Sequence, residues 1–280
     1  MSFKYWETLK ETIQPAQIIQ REIIKKNNNY TIETIDVEVA NQRLTLQYLA
    51  PRHEPVSTLV MLFSDLDNIK LSWFSLQRYA AYNMAVVTVP YQLLSGSKTD
   101  RYFINQLPSL KLLHESYLVA YALSISSICQ QVSQLAVVGV GVGASVAAAV
   151  SALNENITQC CLKDVAYVDL NALYEQQKLP DVTMYFKAFD PQHQNRAAFF
   201  DDVSVLEMKT FAPYISAHIL SGRCGLNDRW PAAIYDEFSQ LLQTQETAYF
   251  YPKHVHELVN HYEDQTLLFL MPPRMTPVNA

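Results

Sequence analysis

Short apolar runs alternate with helical patterns through most of the chain after residue 58. Runs typical of buried strands lie at residues 58–63, 85–89, 135–138, 160–168, 215–220 and 246–251. Helical periodicity marks residues 73–82, 107–129 and 232–242. Continuous apolar strands that alternate with helices are typical of a mostly parallel sheet covered on both faces. We therefore predict an α/β fold.

The first 50 residues follow another pattern. Residues 3–26 carry recurring isoleucines with a break near Pro15, and we predict that they are helical. Residues 30–39 and 43–49 alternate as strands do, and a short turn at residues 40–42 separates them. This pattern predicts an antiparallel hairpin at the edge of the sheet.

No repeat or low-complexity linker divides the chain, so we expect one domain over residues 1–280. It would consist of the N-terminal helix and edge hairpin (residues 1–50) and a larger core (residues 58–270). Apolar residues make up 49% of the chain and charged residues 17%, which suits a globular protein with a sizeable core. The formal charge of −6 excludes nucleic acid as the main partner, because phosphate binding needs clustered Lys and Arg.

Targeting and redox signals are weak. No run approaches the roughly 18 apolar residues of a membrane span, so we expect no membrane partner. The N-terminus lacks the basic and then apolar pattern of a signal peptide. The four cysteines form no C-x-x-C pair, and we expect reduced thiols in the core. We predict a cytoplasmic protein that needs no metal and no cofactor.

Half of the six glycines lie in one pentapeptide, Gly139-Val140-Gly141-Val142-Gly143. A predicted strand leads into it, and a helix pattern of small residues at 144–150 follows. Strand, glycine turn and helix form the context of a nucleophile elbow, G-x-S-x-G, whose central serine attacks the substrate. Here the central residue is Gly141, which has no side chain. Whether the protein is an enzyme is therefore open.

The same turn also fits the dinucleotide fingerprint G-x-G-x-x-G/A, with Asp164 as the acidic residue that should follow. That fingerprint usually opens its βαβ unit, whereas at least two predicted parallel strands precede it here. A nucleotide-binding protein remains an alternative.

An elbow makes a further prediction, because an acid and then a histidine should follow it, each after a later strand. Asp228 lies beyond the strand at residues 215–220, and His256 lies beyond the strand at residues 246–251. Since sites in open α/β sheets gather at the carboxyl ends of the strands, we expect both side chains near the turn.

Several motifs after residue 135 carry more specific information. They are Thr210-Phe211-Ala212-Pro213-Tyr214-Ile215, Gly225-Leu226-x-Asp228 followed by Pro231, and Tyr251-Pro252-x-x-x-His256-Glu257. Together they resemble the acetyl xylan esterases and cephalosporin-C deacetylases, which form carbohydrate esterase family seven of the α/β-hydrolase superfamily. The resemblance implies an α/β-hydrolase fold, with Asp228 as the triad acid, His256 as the base and Gly141 in place of the serine nucleophile.

The oxyanion region departs from that family too. Its members carry a tyrosine that donates to the oxyanion in a loop after an early strand, and the matching stretch, residues 63–67, has Asp65 there. The other donor in this region is the backbone N–H of Val142, directly after the elbow position. A carboxylate at Asp65 would repel a developing oxyanion.

The resemblance and these losses together predict an esterase homologue with a degenerate triad, inactive or weakly active on acetyl esters. Its expected partners are a small acetylated sugar or related ester and further copies of the chain. The alternative is an active carboxylesterase or deacetylase with a non-standard nucleophile, for which Ser64 and Ser145 are the nearest hydroxyls in sequence.

Overall fold

The computed structural model describes residues 2–52, 56–66, 73–91, 94, 99–257 and 259–271, without the side chains of residues 73 and 74. Asp67, in the stretch compared with the oxyanion loop, lies outside the described residues. The described strands are β1 (Gln17–Lys26), β2 (Tyr30–Val39), β3 (Gln42–Pro51), β4 (Thr58–Phe63), β5 (Met84–Thr88), β6 (Gln134–Val140), β7 (Ile157–Lys163), β8 (His218–Cys224) and β9 (Glu246–Tyr251).

These strands form one sheet of nine in the order β1-β2-β3-β5-β4-β6-β7-β8-β9. Strands β4 to β9 pair in parallel with one another, whereas the pairs β1–β2, β2–β3 and β3–β5 are antiparallel. The predicted mostly parallel sheet and its antiparallel N-terminal hairpin are thus confirmed.

Helices cover both faces of the sheet. They are α1 (Ser2–Lys10), α2 (Trp73–Ala81), α3 (Tyr102–Gln106), α4 (Pro108–Ser124), α5 (Ser127–Gln130), α6 (Val142–Leu153), α7 (Leu170–Glu175), α8 (Pro180–Phe189), α9 (Arg196–Val203), α10 (Met208–Phe211), α11 (Ala232–Leu241) and α12 (Asn260–Leu270). The larger apolar core includes α1, α4, α6 and α11, and the smaller core includes α2 and α12. Within the described ranges, no helix combines the length and the apolar content needed to cross a bilayer.

The N-terminal prediction is wrong in part. The predicted helix over residues 3–26 ends at Lys10, and Gln17–Lys26 form the edge strand β1, which pairs with β2. Adjacent β-branched isoleucines favour a strand, and Ile19, Ile23 and Ile24 are about half exposed in β1, so this segment packs little apolar surface against the core. The hairpin itself turns at Ala40 and Asn41, both with positive φ, but β1 covers its outer side.

Two core elements end earlier than their patterns predict. The strand predicted at residues 160–168 ends at Lys163, because the chain turns at Asp164, whose φ is 52°. The helix predicted at residues 107–129 is interrupted after Ser124 and resumes as α5. The first difference decides the site, since it places Asp164 at the carboxyl end of β7. All four cysteines are buried free thiols.

Candidate active site

A sharp turn at Gly141 joins β6 to α6. Its φ of 59° and ψ of −122° lie where a residue with a Cβ is strained and glycine is not. The turn is also tightly packed, because a Cβ on Gly143 would lie 2.2 Å from the carbonyl oxygen of Phe63. The chain therefore has the strand, turn and helix of a nucleophile elbow without a nucleophile.

The carboxylate of Asp65, just beyond the end of β4, occupies the space in front of Gly141. A Cβ built on Gly141 would lie 2.5 Å from Asp65 Cγ, so a serine side chain and this carboxylate cannot both fit. Asp65 Oδ1 accepts hydrogen bonds from the backbone N–H groups of Leu66 at 2.9 Å and Val142 at 3.0 Å. The N–H after the elbow position is an oxyanion-hole donor in this type of site.

His256, in the loop after β9, lies between two carboxylates. Its Nε2 is 2.7 Å from Asp65 Oδ2, and its Nδ1 is 3.0 Å from Asp164 Oδ2. A carboxylate accepts but does not donate, so both ring nitrogens carry protons and the ring is an imidazolium. The hydrogen bonds to Asp164 and then to Asp65 outweigh burial and raise the pKa of His256 to about 9.

The acid that follows the elbow in the chain and contacts His256 is Asp164, and the structure does not pair Asp228 with His256 as predicted. The Asp228 side chain is 94% exposed and forms an ion pair with Lys178 at 2.6 Å, because the loop after β8 turns its side chain to solvent. Asp164 lies closer to the centre of the sheet, and the backbone N–H of Cys224 donates to its Oδ1 at 2.8 Å.

The site is a row of alternating charges. The ammonium of Lys163 donates to Asp164 Oδ2 at 2.5 Å, and His256 links Asp164 to Asp65. Burial opposes the ionisation of Asp164, but the hydrogen bond from His256 and the charge of Lys163 lower its pKa to about 2. Burial likewise opposes ionisation of Asp65, and the bonds from His256 and two backbone N–H groups still lower its pKa.

Triad hydrolysis needs a nucleophile, a neutral base and free oxyanion donors. Gly141 supplies no nucleophile, His256 is protonated on both nitrogens, and the N–H of Val142 is bonded to Asp65. One oxygen of the Asp65 carboxylate accepts from the N–H of Val142, and the other lies 2.7 Å from His256 Nε2. Asp65 would therefore repel an oxyanion, as expected, and it also accepts the N–H of Val142 that an oxyanion would need.

The two serines suggested as other nucleophiles have no base. Ser145 is buried, and its hydroxyl donates to the carbonyl of Ala166 at 2.7 Å. Ser64 is half-buried at the end of β4, and both nitrogens of His256 are bonded to carboxylates. The geometry therefore offers neither hydroxyl a route to activation through this histidine.

The nucleotide alternative finds little support in the same contacts. A pyrophosphate at this turn would use N–H groups at the start of α6, and the ribose would use an acid. The N–H of Val142 is bonded to Asp65, and Asp164 is bonded to His256 and Lys163. In the part of the chain that the structure describes, no group of three or more His, Cys, Asp or Glu side chains could hold a metal ion.

Comparisons with known proteins agree with this fold. Two solved structures are similar over most of their length, the acetyl xylan esterase 1 from Thermoanaerobacterium sp. JW/SL YS485 (TM-score 0.82) and the acetyl xylan esterase from Paenibacillus sp. R4 (TM-score 0.81). Each is 15% identical, and each alignment covers 96% of this chain and 92% of the other. A cold-adapted esterase from an Arctic intertidal metagenomic library has a TM-score of 0.62 at 13% identity, covering 88% of this chain and 95% of its own.

At these identities the structural likeness shows the fold alone. No curated protein sequence matches the chain. The sequence profile described as Acetyl xylan esterase (AXE1) matches residues 113–272, which is more than half of the chain and includes the elbow, Asp164 and His256. With its α/β-hydrolase fold and this match, the chain belongs to the acetyl xylan esterase family.

Proposed function

We propose that this chain is a non-hydrolytic member of the family that acts by binding. The observation that carries the proposal is the position of the Asp65 carboxylate, which fills the nucleophile's space at Gly141 and accepts the N–H of Val142. An ester carbonyl would need the same donor and the same space. Removing the nucleophile from a triad alone costs several orders of magnitude in rate.

The protonation of His256 supports the proposal independently. With a pKa of about 9, the imidazole is charged at neutral pH and cannot accept a proton from a water or a hydroxyl. The alternative of an active esterase with a non-standard nucleophile would need this base in its neutral form.

The ligand expected from the resemblance, a small acetylated sugar or related ester, would have to bind differently here. Its acetyl carbonyl cannot reach the N–H of Val142 while Asp65 holds that donor. We therefore place any such ligand outside the elbow.

Hydrolysis of p-nitrophenyl acetate tests the proposal with four proteins: the wild type, Gly141→Ser, the double variant Asp65→Ala/Gly141→Ser, and that double variant with His256→Ala added. We expect the wild type and Gly141→Ser to match the buffer rate. The double variant has room for the serine and a neutral neighbour for the imidazole, so we expect turnover about 100-fold above buffer. His256→Ala should abolish it.

Two results would contradict this reasoning. Wild-type turnover above the buffer rate would show a working site with an unidentified nucleophile. Equal turnover in Gly141→Ser and in the double variant would show that Asp65 does not close the site. Thermal unfolding of each variant confirms that it is folded before its rate is compared.

A further inference from the structure

A cavity of about 280 Å³ lies on the face of the sheet that α2 and α12 cover. Its apolar wall includes Leu62, Leu76, Val138 and Leu267, and His256 contributes to its lining. The cavity therefore adjoins the candidate active site, but the walls of the cavity belong mainly to the sheet and to the two helices. Small-molecule sites commonly combine such an apolar wall with a few converging polar groups.

The first of these polar groups is the ammonium of Lys163. The Lys163 side chain is 1% exposed and lines the cavity, and its ammonium donates to Asp164 and lies within hydrogen-bond reach of the Cys224 thiol. An ammonium has three N–H donors, and the nearby Cys224 thiol is only a weak acceptor. Buried donors are normally paired, so this ammonium is suited to receive a further oxygen from a ligand.

The second is the carboxyl group of Glu263 on α12. It lines the same cavity, and its salt-bridge partner is Arg78, with 3.9 Å between Arg78 Nη1 and Glu263 Oε2. That separation is too long for a hydrogen bond. Burial raises the pKa of Glu263, while the charges of Arg78 and Lys163 oppose the rise. Within the described ranges, a half-buried carboxyl group that forms no hydrogen bond therefore shares the cavity with an ammonium that has an N–H to spare.

The charges around the cavity disfavour an anionic ligand. Each cation already faces a carboxylate: Lys163 faces Asp164, His256 faces Asp65 as well as Asp164, and Arg78 binds Asp264 at 2.8 Å. With Glu263 added, the cavity has no excess positive charge with which to attract an anion. Its volume corresponds to about nine water molecules at about 30 Å³ each.

We propose that this cavity binds a small uncharged alcohol or phenol. The apolar part of the ligand packs against Leu76 and Leu267, its hydroxyl oxygen accepts from Lys163, and its hydroxyl proton is donated to Glu263. The inference extends the proposed function from binding in general to a ligand class. The two fail separately, since ester turnover and ligand binding are measured by different experiments.

Isothermal titration with three probes tests the ligand class on the wild-type chain. The probes are p-cresol, toluene, which lacks the hydroxyl, and 4-methylbenzoate, which replaces it with a charge. We expect p-cresol to bind with a Kd at least about tenfold below the other two, since its hydroxyl satisfies buried groups that toluene leaves unpaired. Binding of none of the three would overturn the proposal, as would equal affinity for toluene or tighter binding of the benzoate.

A matched pair of variants on α12 tests the location. Leu267 is 5% exposed and lines the cavity, whereas its neighbour Leu268 is 51% exposed. Leu267→Phe fills the space and should weaken p-cresol binding at least about tenfold, and Leu268→Phe should leave it unchanged. Equal effects of the two variants would place the ligand elsewhere.

Lys163→Met tests the hydrogen bond, and it should raise the Kd of p-cresol to that of toluene. An unchanged preference for p-cresol in a folded Lys163→Met protein would refute the role of the ammonium. If that variant does not fold, Glu263→Met, which removes the acceptor at similar size, provides the same comparison: the preference for p-cresol should fall, and an unchanged preference would refute the role of Glu263.

Discussion

The charge on His256 should stabilise the folded chain up to mildly alkaline pH and then be lost. Its pKa is about 9 in the folded protein, against an ordinary value of 6.5. A group whose pKa is raised on folding contributes its full stabilisation below the unfolded pKa, and this is lost as the pH rises through the folded pKa. The window for His256 therefore runs from about pH 6.5 to just above pH 9.

The size of the effect follows from the same two values. At 1.36 kcal/mol for each pH unit, their difference corresponds to at most about 3 kcal/mol of unfolding free energy. The His256 side chain is 22% exposed, and screening by solvent reduces the figure. We expect a loss of about 2 kcal/mol. The stabilisation attributed to Asp164 arises partly from the same contact and is not added to it.

Urea denaturation of the wild type and His256→Gln at about pH 6 and about pH 10 measures this contribution. Buried tyrosines and cysteines with raised pKa values also lose stabilisation above pH 9, and they do so in both proteins. The difference between the two proteins should therefore shrink by about 2 kcal/mol. A difference that stays constant, or grows with pH, would refute the double contact of the imidazolium. An NMR titration of the His256 ring gives its pKa directly.

Two more substitutions test separate contacts. Asp228→Asn should change the free energy of unfolding by less than about 0.5 kcal/mol, because its ion pair is exposed. Asp164→Asn should lower the free energy of unfolding by about 3 kcal/mol and should also lower the pKa of His256. Equal effects of the two variants in urea denaturation and NMR titration would contradict the assignment of Asp164 as the acid. Gly143→Ala places a Cβ 2.2 Å from the Phe63 carbonyl oxygen and should cost about 3 kcal/mol or more, so an unchanged Tm would contradict the close packing of the turn.

Much of the fold could be predicted from periodicity, since continuous apolar runs mark β4 to β9 well. The edge strand β1 could not, because its isoleucines are exposed and its structure depends on backbone pairing with β2, a long-range contact that leaves no periodic signal. The isoleucines themselves favour a strand, but only the pairing with β2 separates a strand from a helix here.

The location of the site at the carboxyl ends of the strands could be predicted from the sequence, but its side-chain contacts could not. Chain order points to an acid before His256, and both Asp164 and Asp228 satisfy it. The choice depends on where β7 ends and on which way each side chain faces, and hydropathy encodes neither. The resemblance identifies Asp65 only as a residue that replaces the tyrosine of the family's oxyanion loop. That its carboxylate is bound by His256 and two N–H groups follows only from the geometry.

The surroundings of Gly141 favour one order of the two substitutions that would restore a serine to this turn. Serine at a φ of 59° would carry strain of about 1–3 kcal/mol that glycine avoids, and it would also collide with Asp65. A first step at position 141 therefore meets both obstacles, whereas a first step at position 65 removes one of them. The carboxylate at position 65 therefore disfavours a serine at position 141 until it is itself replaced.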